Sequence, residues 1–153
     1  MDIFTDGCCN KTIGSCVSVV DSDNVCLITK YRKYLDLYDF LSWFEEGEHN
    51  GRTIFKVSFT DVSTQQNNGA ELVAAIIGIC IAYHHNYKRV YCDSTLIVEH
   101  WSKKISKTIK DERKAKLQRF LIKVCKIFEE AGGKLIWISG DDNKADLGFH
   151  KKK

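Results

Sequence analysis

Short apolar runs separated by polar turns recur along the chain, and their spacing predicts its secondary structure. IFTDG, CVSVV and TIFKVSFTDV are short and rich in β-branched and aromatic residues, which is typical of strands. VCLITKY follows CVSVV after the polar turn DSDN, so these two runs predict the arms of a hairpin. The longer run ELVAAIIGICIAYHH predicts a buried helix.

The second half of the chain alternates between strand and helix patterns. KRVYCD and KLIWIS predict strands, and STLIVEHW predicts a helix. The basic stretch that begins at KKISK predicts a linker and then a longer helix that ends at Gly132 and Gly133, and the tail after KLIWIS is expected to be helical. In the first half, YLDLYDFLSWFEEGEHNG has the apolar spacing of a short amphipathic helix that ends at Gly47.

This order of elements predicts the fold class. An antiparallel start followed by alternating helices and strands indicates an α/β fold, with a mixed sheet and helices on its faces. The chain has 153 residues, which is enough for one domain with its own core. It contains neither an internal repeat nor a recognisable linker, so residues 1–153 are expected to form a single domain.

The composition is that of an ordinary globular protein, with 44% apolar and 28% charged residues. The longest uncharged apolar run, 72–83, is shorter than the roughly 20 residues of a membrane span, and the N-terminus lacks the pattern of a signal peptide. Seven cysteines without paired CxxC spacing, several inside apolar runs, indicate free thiols in a reducing compartment. We therefore expect an intracellular protein with no membrane association.

The net charge of +3 is unevenly distributed along the chain. Residues 36–48 carry five acids and no Lys or Arg, whereas residues 102–126 carry ten Lys or Arg and two acids. The basic stretch has two interpretations, a solvated helix face or a surface that follows nucleic-acid phosphates.

Four acids occupy positions where functional groups collect in α/β proteins. Asp6 lies in the first strand, Glu71 opens the long helix, Asp93 ends a strand and Asp146 follows the last strand by a short loop. Taken alone, an Asp at the end of a strand is most often a cap or turn residue, and Glu71 alone is most simply explained by stabilisation of the helix dipole. If the four converge, their mutual repulsion requires a cation, and Mg²⁺ is the cation that such oxygen ligands suit. Two Mg²⁺ ions about 4 Å apart are typical of phosphodiester hydrolysis.

Four short motifs carry a resemblance to a known family. TDGCCN, NNGAEL, CDSTL and NKADLG, in this order, resemble the acidic blocks of type 1 ribonuclease H, over residues 3 to 150 with a poor match at 24 to 60. The resemblance implies a ribonuclease H-like fold, a five-stranded mixed sheet flanked by helices. It also implies hydrolysis of the RNA strand of RNA/DNA hybrids with two Mg²⁺ ions, or Mn²⁺ in their place. The implied catalytic and metal-binding residues are Asp6, Glu71, Asp93 and Asp146.

The resemblance also implies residues that contact the hybrid. Asn67 and Asn68 match a pair that contacts the minor groove beside Glu71, where amide groups can recognise the 2′-hydroxyl that distinguishes RNA from DNA. Thr95 is also predicted to bind substrate, and it stands where the family often has Gln, whose side chain is longer. The other predicted substrate-binding residues are Gly7, Cys8, Asn10, Ser94, Lys103, Lys104 and Lys144.

The C-terminus departs from many members of the family. GDDNKAD joins the last strand directly to Asp146, without a histidine-bearing loop, and resembles a bacterial subgroup that ends in G-E-x-K-A-D-Y-G-R-K. Asp142 takes the place of the extra Glu of that subgroup, so we expect it to act in catalysis by tuning metal occupancy or product release. His150 stands where the subgroup has a Lys near the scissile phosphate, and Lys151 is the alternative. The basic protrusion of other members is not obvious here.

The stretch between Asp6 and Glu71 is longer than the family pattern, which predicts an insertion at about 32–51. The insertion either packs on the edge of the domain or binds a protein partner through Tyr38, Phe40, Trp43 and Phe44. The predicted function is an endonuclease for RNA/DNA hybrids, acting as a monomer. The alternatives are a DNA-directed nuclease of the same fold, such as a junction resolvase, and a non-catalytic nucleic-acid-binding domain.

Overall fold

The computed structural model describes residues 1–10, 14–35, 44–49, 51–57, 67–110 and 112–146. Its six strands are β1 (Asp2–Asn10), β2 (Gly14–Asp21), β3 (Phe44–His49), β4 (Arg52–Val57), β5 (Arg89–Cys92) and β6 (Lys134–Trp137). They form one sheet in the order β3-β4-β2-β1-β5-β6. Strands β3, β4, β2 and β1 pair antiparallel, whereas β5 and β6 run parallel to β1. The predicted α/β class with a mixed sheet is confirmed, with six strands instead of five.

Three helices accompany the sheet: α1 (Leu27–Leu35), α2 (Asn67–His85) and α3 (Glu112–Glu130). A π-helical turn, Leu96–Trp101, follows β5, and a 3-10 turn, Gly140–Asp142, follows β6. Helix α2 packs across β1, β2 and β5, between α1 on one side and α3 on the other. Residues 72–82 of α2 are therefore all buried, which explains their unbroken apolar sequence. None of the described helices has the length and apolar content needed to cross a bilayer.

Alternation along the strands gives the sheet two buried faces. Ile3 belongs to the main core beneath the three helices, whereas its neighbour Phe4 packs on the other face with Val20 and Ala145. Because Ala145 belongs to the segment after β6, the C-terminal part of the described chain lies on the face opposite the helices.

The predicted hairpin arm VCLITKY is wrong, because most of this run belongs to α1. Leu27 and Ile28 are adjacent, and both are 0% exposed. Two adjacent residues can both be buried on the face of a helix that packs against α2, whereas in a strand with one buried face they would point to opposite sides. Tyr31 lies on the same side and stacks on His85 of α2, with ring centroids 3.8 Å apart. The β-branched and aromatic residues that suggested a strand therefore serve helix packing.

The predicted helix ending at Gly47 is also wrong where the structure describes it. Residues 44–49 form β3, with Gly47 inside the strand and paired with Ile54 of β4. His49 pairs with Arg52, so a connection of two residues joins the two strands. Gly51 has a φ of +76°, and Asn-Gly at such a connection is a strong hairpin signal that outweighs the apolar spacing before it.

The predicted insertion at about 32–51 contains the end of α1 and all of β3, the additional edge strand. Residues 36–43 lie outside the described residues, including Tyr38, Phe40 and Trp43 of the predicted partner-binding patch, and so does the side chain of Phe44. Binding of a protein partner by this segment therefore stays a prediction.

Gly7 lets helix α2 approach strand β1 at backbone distance. A Cβ atom at this position would lie 2.4 Å from the carbonyl carbon and oxygen of Ala70 and 2.5 Å from the amide nitrogen of Glu71. Only a residue without a side chain fits, so the first turns of α2 rest directly beside Asp6. The glycine predicted to contact substrate has a packing role in the structure.

Replacing Gly7 by alanine is expected to destabilise the protein by roughly 3 kcal/mol, because backbone atoms of α2 must move to admit the methyl group. Gly47→Ala is the matched control, since its nearest neighbour would lie 3.7 Å away in a flexible lysine side chain. Urea unfolding of both variants measures the difference. Equal stability of the two variants would contradict the tight contact between β1 and α2.

Candidate metal centre

Three carboxylates meet at one end of the sheet. Asp6 lies within β1, Asp93 directly follows β5, and Asp146 follows the 3-10 turn. One carboxylate oxygen from each lies within 4.8 Å of the other two. Thr5 and Cys92 are paired in the parallel register of β1 and β5, so Asp6 and Asp93 are carried to the same place by adjacent strands.

Glu71 joins this group from the helix side. Its carboxyl group is hydrogen-bonded to Asp93 and to Ser94. The pKa of Glu71 is raised from its ordinary value of 4.5 to about 8, mainly by burial and then by the charge of Asp93 and the hydrogen bond to it, whereas Ser94 opposes the shift. In the protein without a cation, Glu71 is thus mostly protonated at neutral pH.

Ser94 connects the acidic site to the helix that follows. In addition to its contact with Glu71, its Oγ accepts a hydrogen bond from the backbone N–H of Ile97 at 3.3 Å. It thereby fixes the start of the π-helical turn, and Thr95 lies exposed beside it. The hydroxyl predicted to bind substrate also orients a catalytic candidate.

Asn143 is a site residue that the sequence analysis missed. Its Nδ2 donates to the carbonyl oxygen of Thr5 at 2.9 Å and to Oδ2 of Asp93 at 3.1 Å. Its Oδ1 accepts from the backbone N–H of Ala145 at 3.0 Å. The available signal was an amide side chain inside the NKADLG motif, three residues before the acid.

Asp142 does not belong to the group of three acids. It is exposed in the 3-10 turn, where Oδ2 accepts a hydrogen bond from Ser139 Oγ at 3.0 Å. Its predicted role in metal occupancy or product release therefore stays a prediction.

Among the predicted substrate-binding residues, Cys8 is 0% exposed, and its Sγ lies 3.1 Å from Sγ of Cys16 on β2. Its side chain is packed inside the protein and is not available to a substrate. Asn10 ends β1, and Asn67 and Asn68 begin α2, next to Glu71. The side chains of these three asparagines lie outside the described residues.

The predicted phosphate contacts lie on the surface. Lys103 and Lys104 are exposed directly after the π-helical turn, with Lys103 Nζ 4.0 Å from Glu99. Lys144 is exposed between Asn143 and Ala145. His150 and Lys151 lie outside the described residues.

The donor set of this centre fits a hard divalent cation. Carboxylate oxygens are the ligands that Mg²⁺ prefers in proteins, and the acids contribute them at mutual distances within 4.8 Å. Burial is the largest cause of the raised pKa of Glu71, and the negative charge of Asp93 is the second, which a cation bound here would compensate. Asp6, Asp93, Asp146 and Glu71 are the residues that would hold it.

Comparisons with known proteins give limited additional information. No protein-family profile matches the chain, and no curated protein matches it. Among solved structures, the chain is similar to the N-terminal RNase H domain of a Mycobacterium tuberculosis protein, solved as a fusion with maltose-binding protein. The two are 17% identical, with a TM-score of 0.45, over 93% of this chain and 84% of the other.

Glu71→Gln is expected to stabilise the protein in the absence of divalent cations. Below pH 4.5 both the folded and the unfolded states hold the Glu71 proton, so the variant and wild type differ little. Between pH 4.5 and about 8 the unfolded state loses that proton while the folded state keeps it, which destabilises the wild type progressively. Above pH 8 the advantage of the Glu71→Gln variant should reach about 1–4 kcal/mol, since one pKa unit corresponds to ~1.4 kcal/mol.

Thermal unfolding in EDTA from pH 4 to pH 9 measures this difference. Glu48→Gln, which changes an exposed carboxylate of β3, is the matched control and should show no such growth with pH. A constant difference between Glu71→Gln and wild type over the whole range would contradict the raised pKa.

Proposed function

We propose that this chain is a metal-dependent nuclease that hydrolyses the RNA strand of RNA/DNA hybrids. The observation that carries the proposal is the meeting of Asp6, Asp93 and Asp146 within 4.8 Å, with Glu71 hydrogen-bonded to Asp93. These acids come from β1, α2, the end of β5 and the C-terminal segment. Repulsion among these carboxylates destabilises the folded state unless a cation compensates their charge. The four motifs that resemble type 1 ribonuclease H contain the same acids.

The proposed chemistry assigns a task to each group of residues. When bound to the four acids, two Mg²⁺ ions, or Mn²⁺ in their place, would supply an activated water and stabilise the leaving oxygen. Glu71 must give up its proton to serve as a ligand, so binding of the cation releases a proton. Asp6 is 2% exposed and fixed within β1, so it offers a ligand that needs no rearrangement.

The groups around the acids are suited to bind the phosphates and the sugar hydroxyls of a nucleic acid. The N-terminus of α2, where Asn67 and Asn68 lie, carries the positive end of the helix dipole, which favours phosphate. Exposed Lys103 and Lys104 extend from the turn that starts beside Asp93, where they suit contacts with a nucleic-acid backbone. The asparagine amides are suited to a 2′-hydroxyl, which favours a hybrid over double-stranded DNA.

A DNA-directed nuclease is the second candidate, because the same acidic arrangement serves junction cleavage in other proteins. The pair Asn67 and Asn68 beside Glu71 favours the hybrid. A non-catalytic nucleic-acid-binding domain is the third candidate, and the presence of all four acids argues against it.

The purified protein is expected to cut labelled RNA within an RNA/DNA hybrid in Mg²⁺ or Mn²⁺, and not in EDTA. Single-stranded RNA, double-stranded RNA and branched DNA should remain intact under the same conditions. Asp93→Asn should lower the rate by about 100-fold or more, because it removes charge from the centre of the site.

Asp23→Asn is the matched control for this assay, since it changes an exposed carboxylate in the turn between β2 and α1 that is not one of the four acids. It should cut at the wild-type rate. Cleavage or binding of branched DNA in place of the hybrid would refute the proposed substrate, whereas the proposal of a metal site would still hold.

Asp142→Asn is expected to slow turnover about 10-fold while substrate binding changes little, because its charge acts on the metal site from outside the three central acids. Steady-state kinetics on the hybrid separates kcat from KM. Asp141→Asn, in the neighbouring exposed acid, is the control. An unchanged kcat in Asp142→Asn would remove this residue from the catalytic mechanism.

A further inference from the structure

We infer that Asn143 is a positioning residue that holds Asp93 and the segment carrying Asp146 in the arrangement required for a divalent cation. The inference rests on the proposed metal site and extends it to a residue that does not itself act as a ligand. It follows from the three hydrogen bonds of one buried side chain, which is part of a residue only 5% exposed.

The amide of Asn143 connects three parts of the chain. A carboxamide NH₂ group has two donor hydrogens, and here one goes to the Thr5 carbonyl of β1 and the other to Oδ2 of Asp93. The amide oxygen accepts the N–H of Ala145. Both ends of the amide are thus used, and a rotation of the side chain would break all three bonds.

The neutrality of this donor matters for the metal site. A lysine or arginine at the same place would also hold Asp93, but its charge would compete with the cation for the carboxylate. A carboxylate there would add to the repulsion among the acids. An amide restricts the orientation of Asp93 and leaves its negative charge available to a cation.

Asn143 also shapes the turn that presents Asp146. Its backbone carbonyl accepts the N–H of Asp146 at 3.0 Å, while its side chain accepts the N–H of Ala145 at 3.0 Å. The bond to Thr5 then fixes this turn to β1, one residue before Asp6. The side chain of Asn143 therefore sets the position of Asp146 relative to Asp6 together with the packing of Ala145 against Phe4.

Gln118 of α3 is a matched control within the same molecule. It is 1% exposed, and its Nε2 donates to the carbonyls of Trp101 and Lys104, both at 2.8 Å. Its Oε1 accepts the N–H of Ser106 at 3.1 Å. Gln118 thus makes the same set of three bonds, but to the loop after the π-helical turn instead of to the acids.

The first experiment follows both amides in the wild-type protein. Mg²⁺ is titrated into the ¹⁵N-labelled full chain, and the side-chain amide resonances of Asn143 and Gln118 are observed by NMR. The Asn143 signals should shift with the same midpoint as the backbone amide of Asp6, because the cation withdraws charge from the oxygen that accepts its hydrogen bond. The Gln118 signals should stay in place.

The second experiment measures Mn²⁺ and Mg²⁺ affinity by calorimetry, without substrate, in Asn143→Ala, Asn143→Leu and Gln118→Leu. Leucine has the branched shape of asparagine at Cγ but makes none of its hydrogen bonds, so this variant fills the site if the alanine variant fails to fold. Loss of Asn143 should weaken binding by about 10–100-fold. Gln118→Leu should remain within about twofold of wild type, although it loses an equal number of buried hydrogen bonds.

The outcomes separate this inference from the proposed function. Wild-type metal affinity in a folded Asn143 variant, or Asn143 resonances that do not shift at saturating Mg²⁺, would overturn the inference. The proposed nuclease function would still stand if the wild-type protein cuts the hybrid. A wild type that binds no divalent cation would overturn both. If both Asn143 variants are unfolded, the resonances of the wild type decide.

Discussion

The contact between Gly7 of β1 and the first turns of α2 is the constraint on which the rest of the structure depends. Backbone meets backbone there, with Ala70 and Glu71 too close for any side chain at position 7. The contact determines the distance between α2 and the sheet, and α1 and α3 both pack against α2. It also determines the distance between Glu71 and Asp93, so the core and the acidic site both depend on this contact.

Electrostatic repulsion among the acids destabilises the folded state, and the packing of the core must offset this free energy. Three carboxylates lie within 4.8 Å of one another, and the fourth avoids ionisation by holding its proton to a pKa of about 8. Two neutral groups, the hydroxyl of Ser94 and the amide of Asn143, organise these acids without cancelling their charge. This combination leaves the negative charge of the acids available to a cation.

The sequence predicted where the four acids lie because each falls within or after an element with a clear pattern, as in β1, α2 and β5. It misplaced α1 because local composition resembles a strand, and only the packing against α2 makes adjacent Leu27 and Ile28 both buried. It missed β3 because a pairing partner, β4, determines that strand more than its own residues do. Asn143 was missed because its contacts join residues that are distant in the sequence.

The hydrogen bond from Asn143 to Thr5 spans 138 positions of the chain. Loops of that length close slowly, since the entropy of joining their ends must be overcome before the contact contributes. During synthesis, the N-terminal hairpin and α2 can assemble and bring Asp6 and Glu71 together while Asp93 and Asp146 are not yet in place. The group of Asp6, Asp93 and Asp146 would be complete only after residue 146 had left the ribosome, so a folding core would exist before the candidate metal centre.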